Sequence, residues 1–484
     1  MNPSLHYKPA VGLARDIRTG DVSPVDVVDH FFNRIDQLDD EINAYVDLYP
    51  EEARKKAREA EHAVEAGEQL GPLHGVPIAI KDNIPIEGKR FTNGSVPLSD
   101  NVADKDDITV RLLKDAGAII IGKTNTPEFA TKAVTDNKLF GPTGTPFDPS
   151  KTAGGSSGGS AAASAAGMAA LTLGTDGGGS ARIPASACGT FGMKPTFGRL
   201  PTVLRPNGFG HHHPMRSKGP QTRTVADGAL ILDILKGYAP GDPFTLPDED
   251  VSYLEATQRS IHGLDIAYTS DLGTWPIDSR VRTIFDSAVG DLKSTGATLD
   301  DVEINFEYTR SKMLESWKSG FYVVLAETLK LMEENGMDPF GEQREEFEPT
   351  NIEAAEIGRE MSAVEYRRHN IVRTQAFEAI QEVFDDHDLL VTPTLAVPPF
   401  EHGKWGPSEI NGEEIDHIIG WCLTWLFNLT GHPASSVPAG FTDDGLPVGM
   451  QIIGPRFADA TVIAASAEYE RVAPWQDEYR QRIG

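Results

Sequence analysis

Hydrophobic and polar positions along the chain follow two periods in turn. From Ser23 and Pro24, which fit an N-cap and a first helical residue, apolar Val28, Phe31, Phe32, Ile35 and Leu38 recur at helical spacing and predict an amphipathic helix. Glu51 to Glu68, a charged run of helix formers, predicts a second helix that stops at Gly71 and Pro72. The short apolar run Val76 to Ile80 predicts a buried strand that delivers Lys81 at its end. Thr109 to Ala116 reads as a helix and Ala118 to Ile121 as a strand, the alternation expected of a parallel or mixed sheet.

The stretch Gly154 to Pro184, GGSSGGSAAASAAGMAALTLGTDGGGSARIP, interrupts this rhythm. Two serine-bearing glycine clusters, Gly154 to Ser160 and Gly177 to Ser180, flank a small-residue segment of helical propensity and an apolar strand at Leu171 to Leu173. A flexible linker does not continue into a helix, a strand and a second glycine turn. Further on, Gly189 to Pro195 and Gly219 to Leu235 read as turns followed by helices, and residues 240 to 385, rich in acid and helix formers, as a helical cover. Asp388 to Thr394, Ser435 to Phe441 and Leu446 to Gly454 read as strands, and Asp459 to Val472 as a helix. Strands near residues 76, 118, 171, 389, 436 and 448 form one set. The expected architecture is a single large α/β domain over residues 1–484, with a central mixed β-sheet covered by helices on both faces. Residues 1–70 supply N-terminal helices and 240–385 the cover.

Charge changes the picture of partners. With 72 Asp and Glu against 44 Lys and Arg, the net charge of -28 repels nucleic-acid phosphates, so no nucleic-acid partner is expected. It also suits high salt, where self-repulsion is screened. No apolar run is long enough for a membrane span and the start lacks a signal-peptide core, so a cytoplasmic location is expected, with no membrane association. The two cysteines, Cys188 and Cys422, form neither a disulfide framework nor a four-thiolate site. His211, His212 and His213, in the segment Pro206 to Pro214, cannot all face one metal, and a solvated loop is expected there, with no metal and no cofactor. Gly117 to Thr124, GAIIIGKT, matches a phosphate-loop pattern, but Ala118 to Ile121 make a stiff apolar strand instead of an inward-turning loop.

The chemistry concentrates in the glycine-embedded serines. A serine hydroxyl needs a base to take its proton, and the oxyanion it creates needs nearby donors. Gly177, Gly178 and Gly179 precede Ser180, so their amides suit the oxygen of a carbonyl attacked by Ser180. The nucleophile-elbow pattern also fits Ser156 and Ser157. An elbow needs a preceding apolar strand, whereas Asp148 to Ala153 is loop-like. Lys81, buried at a strand end, would lose hydration and become a neutral amine able to accept a proton.

These residues resemble the amidase signature family, which includes fatty acid amide hydrolase and whose hallmark G-G-S-S-G-G-S and G-T-D-x-G-G-S-x-R-x-P stand here as Gly154 to Ser160 and Gly174 to Pro184. The resemblance implies the amidase signature fold and hydrolysis of a carboxamide C–N bond to a carboxylate and ammonia or an amine. It implies Ser180 as acyl nucleophile, Ser156 as a bridging serine after a cis peptide at Gly155, and Lys81 as general base. It further implies that the amides from Gly177, Gly178 and Gly179 to Ser180 hold the oxyanion, that Ser157 helps position the substrate, and that Asp176 and Arg182 support the turn. The expected partner is a small-molecule amide; a homodimer is compatible and oligomeric state stays open. Two alternatives remain. The glutaminase component of a glutamyl-tRNA(Gln) amidotransferase, its A chain, typically has Gln where Ile183 stands and an acidic residue near Trp421. An α/β-hydrolase-type esterase would use Ser157 with one of the histidines. Trp421, beside Trp425 and Phe427, fits either core or a greasy substrate pocket.

Overall fold

In the computed structural model, which describes residues 5–484, one sheet runs through the molecule. Its strands are β1 (Tyr45–Leu48), β2 (Pro77–Lys81), β3 (Ile119–Thr124), β4 (Leu171–Asp176), β5 (Phe191–Lys194), β6 (Ser217–Thr222), β7 (Asp265–Tyr268), β8 (Thr298–Asp301), β9 (Leu389–Pro393), β10 (Ala434–Phe441) and β11 (Pro447–Ile453). These 11 strands lie in the order β1-β3-β2-β4-β6-β5-β10-β11-β9-β7-β8. Parallel pairs (β2 with β3 and β4, β7 with β8 and β9) lie on either side of an antiparallel centre, so the sheet is mixed as expected.

Both faces of this sheet are covered, and the strand period shows how. Side chains alternate between faces along a strand. Leu389 and Val391 of β9 join one buried apolar cluster, built with the N-terminal helices, the alanine-rich helix Gly158–Ala165 and the helix Asp459–Val472. Leu390 between them joins another, built from the long helices Arg310–Glu334 and Ala363–Asp386 and from Trp421, Trp425 and Phe427. Ile452 and Ile453 of β11 divide in the same way. A strand buried on both sides has no polar stripe, which is why Val76 to Ile80 and Asp388 to Thr394 read as continuous apolar runs.

The helix starts follow local chemistry. Ser23 accepts from the Val25 and Asp26 amides and caps Pro24–Ile42, and the charged helix Pro50–Glu65 follows. Five strands escape the sequence pattern: β1, β5, β6, β7 and β8. β5 and β6 look like turns because of Gly192, Gly219 and Pro220. Their glycines serve close packing instead: a Cβ on Gly192 would stand 2.6 Å from the Ala181 carbonyl oxygen, and one on Gly219 2.7 Å from both the Ala181 Cβ and the Met193 carbonyl oxygen. β7 and β8 arise within residues 240–385, so this region contributes to the sheet as well as to its cover. Asp148–Thr152, expected as loop, pairs with Gly144–Thr145 in a small separate sheet.

Candidate active site

Lys81 closes β2, and Thr175 sits near the end of its neighbour β4; the two strands run parallel and present these residues at the same edge. The Lys81 side-chain nitrogen lies 2.7 Å from Ser156 Oγ and 2.9 Å from Thr175 Oγ1. Burial strips it of water and pushes its pKa well below the ordinary 10.5, with Asp176 opposing and Lys218 reinforcing that shift. Lys81 forms no ion pair among the described residues.

Ser156 follows a cis peptide at Gly155, the geometry the family resemblance implies. A Cβ on Gly155 would fall 2.5 Å from the Val134 carbonyl carbon, so only glycine lets the backbone pass. The Ser157 amide donates to the Ser180 carbonyl at 3.2 Å, which stitches the first glycine cluster to the second. Lys81, Ser156 and Ser157 are 0% exposed and Ser180 is 9% exposed, so Ser180 alone of the four has a surface that a substrate can reach. Ser157, expected to touch substrate, is fully buried; its hydroxyl donates to the Thr175 carbonyl at 3.2 Å and accepts from the Thr175 amide at 3.3 Å.

The turn between Asp176 and Arg182 is held from inside. Burial alone would raise the Asp176 carboxyl, but the Arg182 guanidinium 2.9 Å away overrides it and brings its pKa down to about 2. This carboxylate accepts from the amides of Gly179 and Ala181 and from Asn428. Arg182 also reaches Gln451 and the Thr424 carbonyl. The Gly179 amide is therefore committed to Asp176 and is not free for an oxyanion, contrary to expectation. The amides of Gly177, Gly178 and Ser180 donate no hydrogen bond among the described residues. Their carbonyl neighbours are pinned: Gly177 oxygen accepts from the Trp317 indole at 3.1 Å, and Gly178 oxygen from Thr424 Oγ1 at 2.6 Å. Gly179 has φ +116°, and a Cβ there would stand 2.0 Å from Thr424 Oγ1.

Thr175, Thr424 and Trp317 escape sequence reasoning. Thr175 lies inside the G-T-D phrase, which carries a signal, whereas Trp317 and Thr424 come from distant segments with none. Trp421, Trp425 and Phe427 are buried in the core. A pocket of about 130 Å3 shares Trp317 with the turn but is lined by none of the residues Gly177 to Ser180; Phe321, Tyr322, Leu325 and Trp405 line it together with the polar Lys132, Lys318, Asn351 and Glu353. His211 and His213 are buried, contrary to the expected solvated loop, and burial pushes each down to about 4. No group of metal-binding side chains occurs among the described residues. Lys123, of the phosphate-loop-like phrase, is buried in β3 and donates to the carbonyls of Asp82 and Ile84.

A mixed sheet covered by helices on both faces, with Lys81 and Ser156 in contact at one edge, makes the molecule an α/β protein with a candidate site at that edge. The chain belongs to the Amidase family, whose profile matches residues 26–463. It is accordingly an amidase, a hydrolase of amide C–N bonds. An acylamidase of Rhodococcus erythropolis is 35% identical over 477 residues, covering 98% of this chain and 97% of the relative. The A chain of the glutamyl-tRNA(Gln) amidotransferase of Carboxydothermus hydrogenoformans is 35% identical over 488 residues, covering 96% of this chain and 97% of the relative. The crystal structure of a bacterial aryl acylamidase, an amidase signature enzyme, superposes with TM-score 0.95 at 36% identity and covers 99% of each chain.

Proposed function

We propose that the protein hydrolyses amides carrying an apolar or aryl group through an acyl-enzyme on Ser180, with Ser156 passing the proton to Lys81. The contact between Lys81 and Ser156 at 2.7 Å, in a site where burial lowers the pKa of the amine and so favours its neutral form, is the observation that carries this. Ser180 Oγ attacks the amide carbonyl while its proton moves to Ser156, whose own proton moves to Lys81. The amides of Gly177, Gly178 and Ser180 receive the oxyanion. The proton then returns along the same path to the leaving amine, and the C–N bond breaks. Water repeats the route on the acyl-ester and releases the carboxylate. Ser157 acts through Thr175, which it shares with Lys81, and positions the relay without touching substrate.

Apolar side chains packed on the turn support the substrate class: Phe321 stands next to Gly177, and Trp317 and Ile419 next to Gly178. An acylamidase and a bacterial aryl acylamidase among the similar proteins support the same class. Glutamine hydrolysis for a tRNA-bound partner has less support: Ile183 and Trp421 are both buried apolar residues and offer no charge to an amino group. An esterase built on Ser157 has none, since no histidine hydrogen-bonds to Ser156, Ser157 or Ser180 among the described residues. The expected outcome of assaying anilides, primary aliphatic amides and glutamine side by side is turnover of anilides at least about tenfold above glutamine in kcat/KM. Preference for glutamine would overturn the substrate assignment.

A further inference from the structure

Trp317 meets the Gly177–Ser180 turn in two ways. It stands on the helix Arg310–Glu334, remote in sequence, and its indole N–H donates to the Gly177 carbonyl at 3.1 Å. Its ring packs on the next residue: a Cβ on Gly178 would lie 2.4 Å from Trp317 Cζ2. The same ring lines the 130 Å3 cavity. In a trans peptide the N–H points opposite to the C=O, so whatever fixes the Gly177 oxygen also aims the Gly178 amide. That amide has no acceptor among the described residues, whereas the Gly179 amide is held by Asp176.

Resting on the acyl-enzyme on Ser180, we propose that Trp317 is a positioning residue: its indole N–H, with its ring packed on Gly178, orients the Gly177–Gly178 peptide toward the oxyanion. Oxyanion donors work because they are oriented before the charge forms. A peptide plane released from its indole partner has to be reoriented at each turnover. The cost falls on the tetrahedral state, where the oxygen carries full charge, and hardly on the bound amide.

Trp317→Phe tests this because it keeps an aromatic wall and removes only the donor. With 4-nitroacetanilide, kcat is expected to fall about 10- to 100-fold while KM stays within about twofold. Phenylboronic acid, whose tetrahedral adduct places an oxygen at the oxyanion position, is expected to bind more weakly by a similar factor. Inhibition by 4-nitroaniline, which forms no such adduct, stays unchanged. Trp317→3-benzothienylalanine exchanges the N–H for sulfur at nearly the same shape; it keeps the proposal testable if phenylalanine disturbs the helix, and the same losses are expected. Wild-type kcat and boronate affinity in a folded variant would overturn the proposal. Failure of the unaltered protein to form a covalent adduct at Ser180 would instead remove the acyl-enzyme itself, and the two results are separable.

Discussion

In the proposed relay Lys81 can accept a proton only while its amine is uncharged. An exposed lysine, with a pKa near 10.5, would restrict such a site to strongly alkaline solution; burial lowers that pKa, and the neutral form persists to lower pH. As pH falls through the depressed pKa the amine takes a proton and can no longer accept one from Ser156. The acid limb of kcat/KM is therefore expected well below pH 10.5, and Lys81→Met should cost about 10²- to 10⁴-fold at neutral pH. A pH–rate profile checks both: an acid limb near 10.5, or near-normal turnover in the variant, contradicts the proposed role. At this scale the sequence is most informative where neighbours in the chain are neighbours in space. Ser180, Asp176 and Arg182 share one turn, and their phrase is readable. The Trp317 and Thr424 contacts with that turn are made by tertiary packing across more than a hundred residues, and nothing in their local sequence announces them.

Elements are legible in proportion to how fully their residues answer to one environment. β2, β9 and β11 are buried on both faces and show plainly as apolar runs. β5 and β6 are equally buried, but their Gly192 and Gly219 make room for the turn leading to the helix Arg182–Ala187, and close packing is indistinguishable from a turn signal in one sequence. The helix Asp459–Val472, read with its observed bounds, carries a group whose titration bears on stability. Its Glu470 is half-buried against the start of the helix Val225–Leu235, where its carboxylate accepts from the Val225 amide. Burial pushes Glu470 from its ordinary 4.5 up to about 8, with Asp227 reinforcing and the Val225 amide, Arg471 and Gln476 opposing. A carboxyl whose folded pKa is raised stabilises fully below its unfolded value and loses that contribution as pH rises through the folded one. Stability should therefore decline between about pH 4.5 and 8 on account of this group. Glu470→Gln keeps an acceptor for Val225 and removes the titration, so its thermal midpoint at pH 8 is expected to exceed the wild-type value by about 2 °C or more, with little difference at pH 5. Thermal melts at the two pH values decide; equal shifts at both would contradict it.

The whole molecule combines a sheet crossing its full width with a strongly negative charge. Six of the 11 strands, and the single-sheet architecture, are readable from sequence, and helices do lie on both faces. No helix among the described residues is long and apolar enough to cross a membrane. The charge of -28 opposes compaction through self-repulsion, which salt screens. The melting temperature is expected to rise between about 0.01 M and 1 M salt, a range over which the screening length shortens from about 30 to 3 Å. An unchanged midpoint would show that local ion pairs already offset the repulsion. The chemistry that this frame carries is tested most directly by treating the intact enzyme with a fluorophosphonate and locating the adduct by peptide mass spectrometry. The account predicts a single adduct on Ser180, lost in Ser180→Ala; an adduct on Ser157, or labelling that survives in that variant, would contradict it.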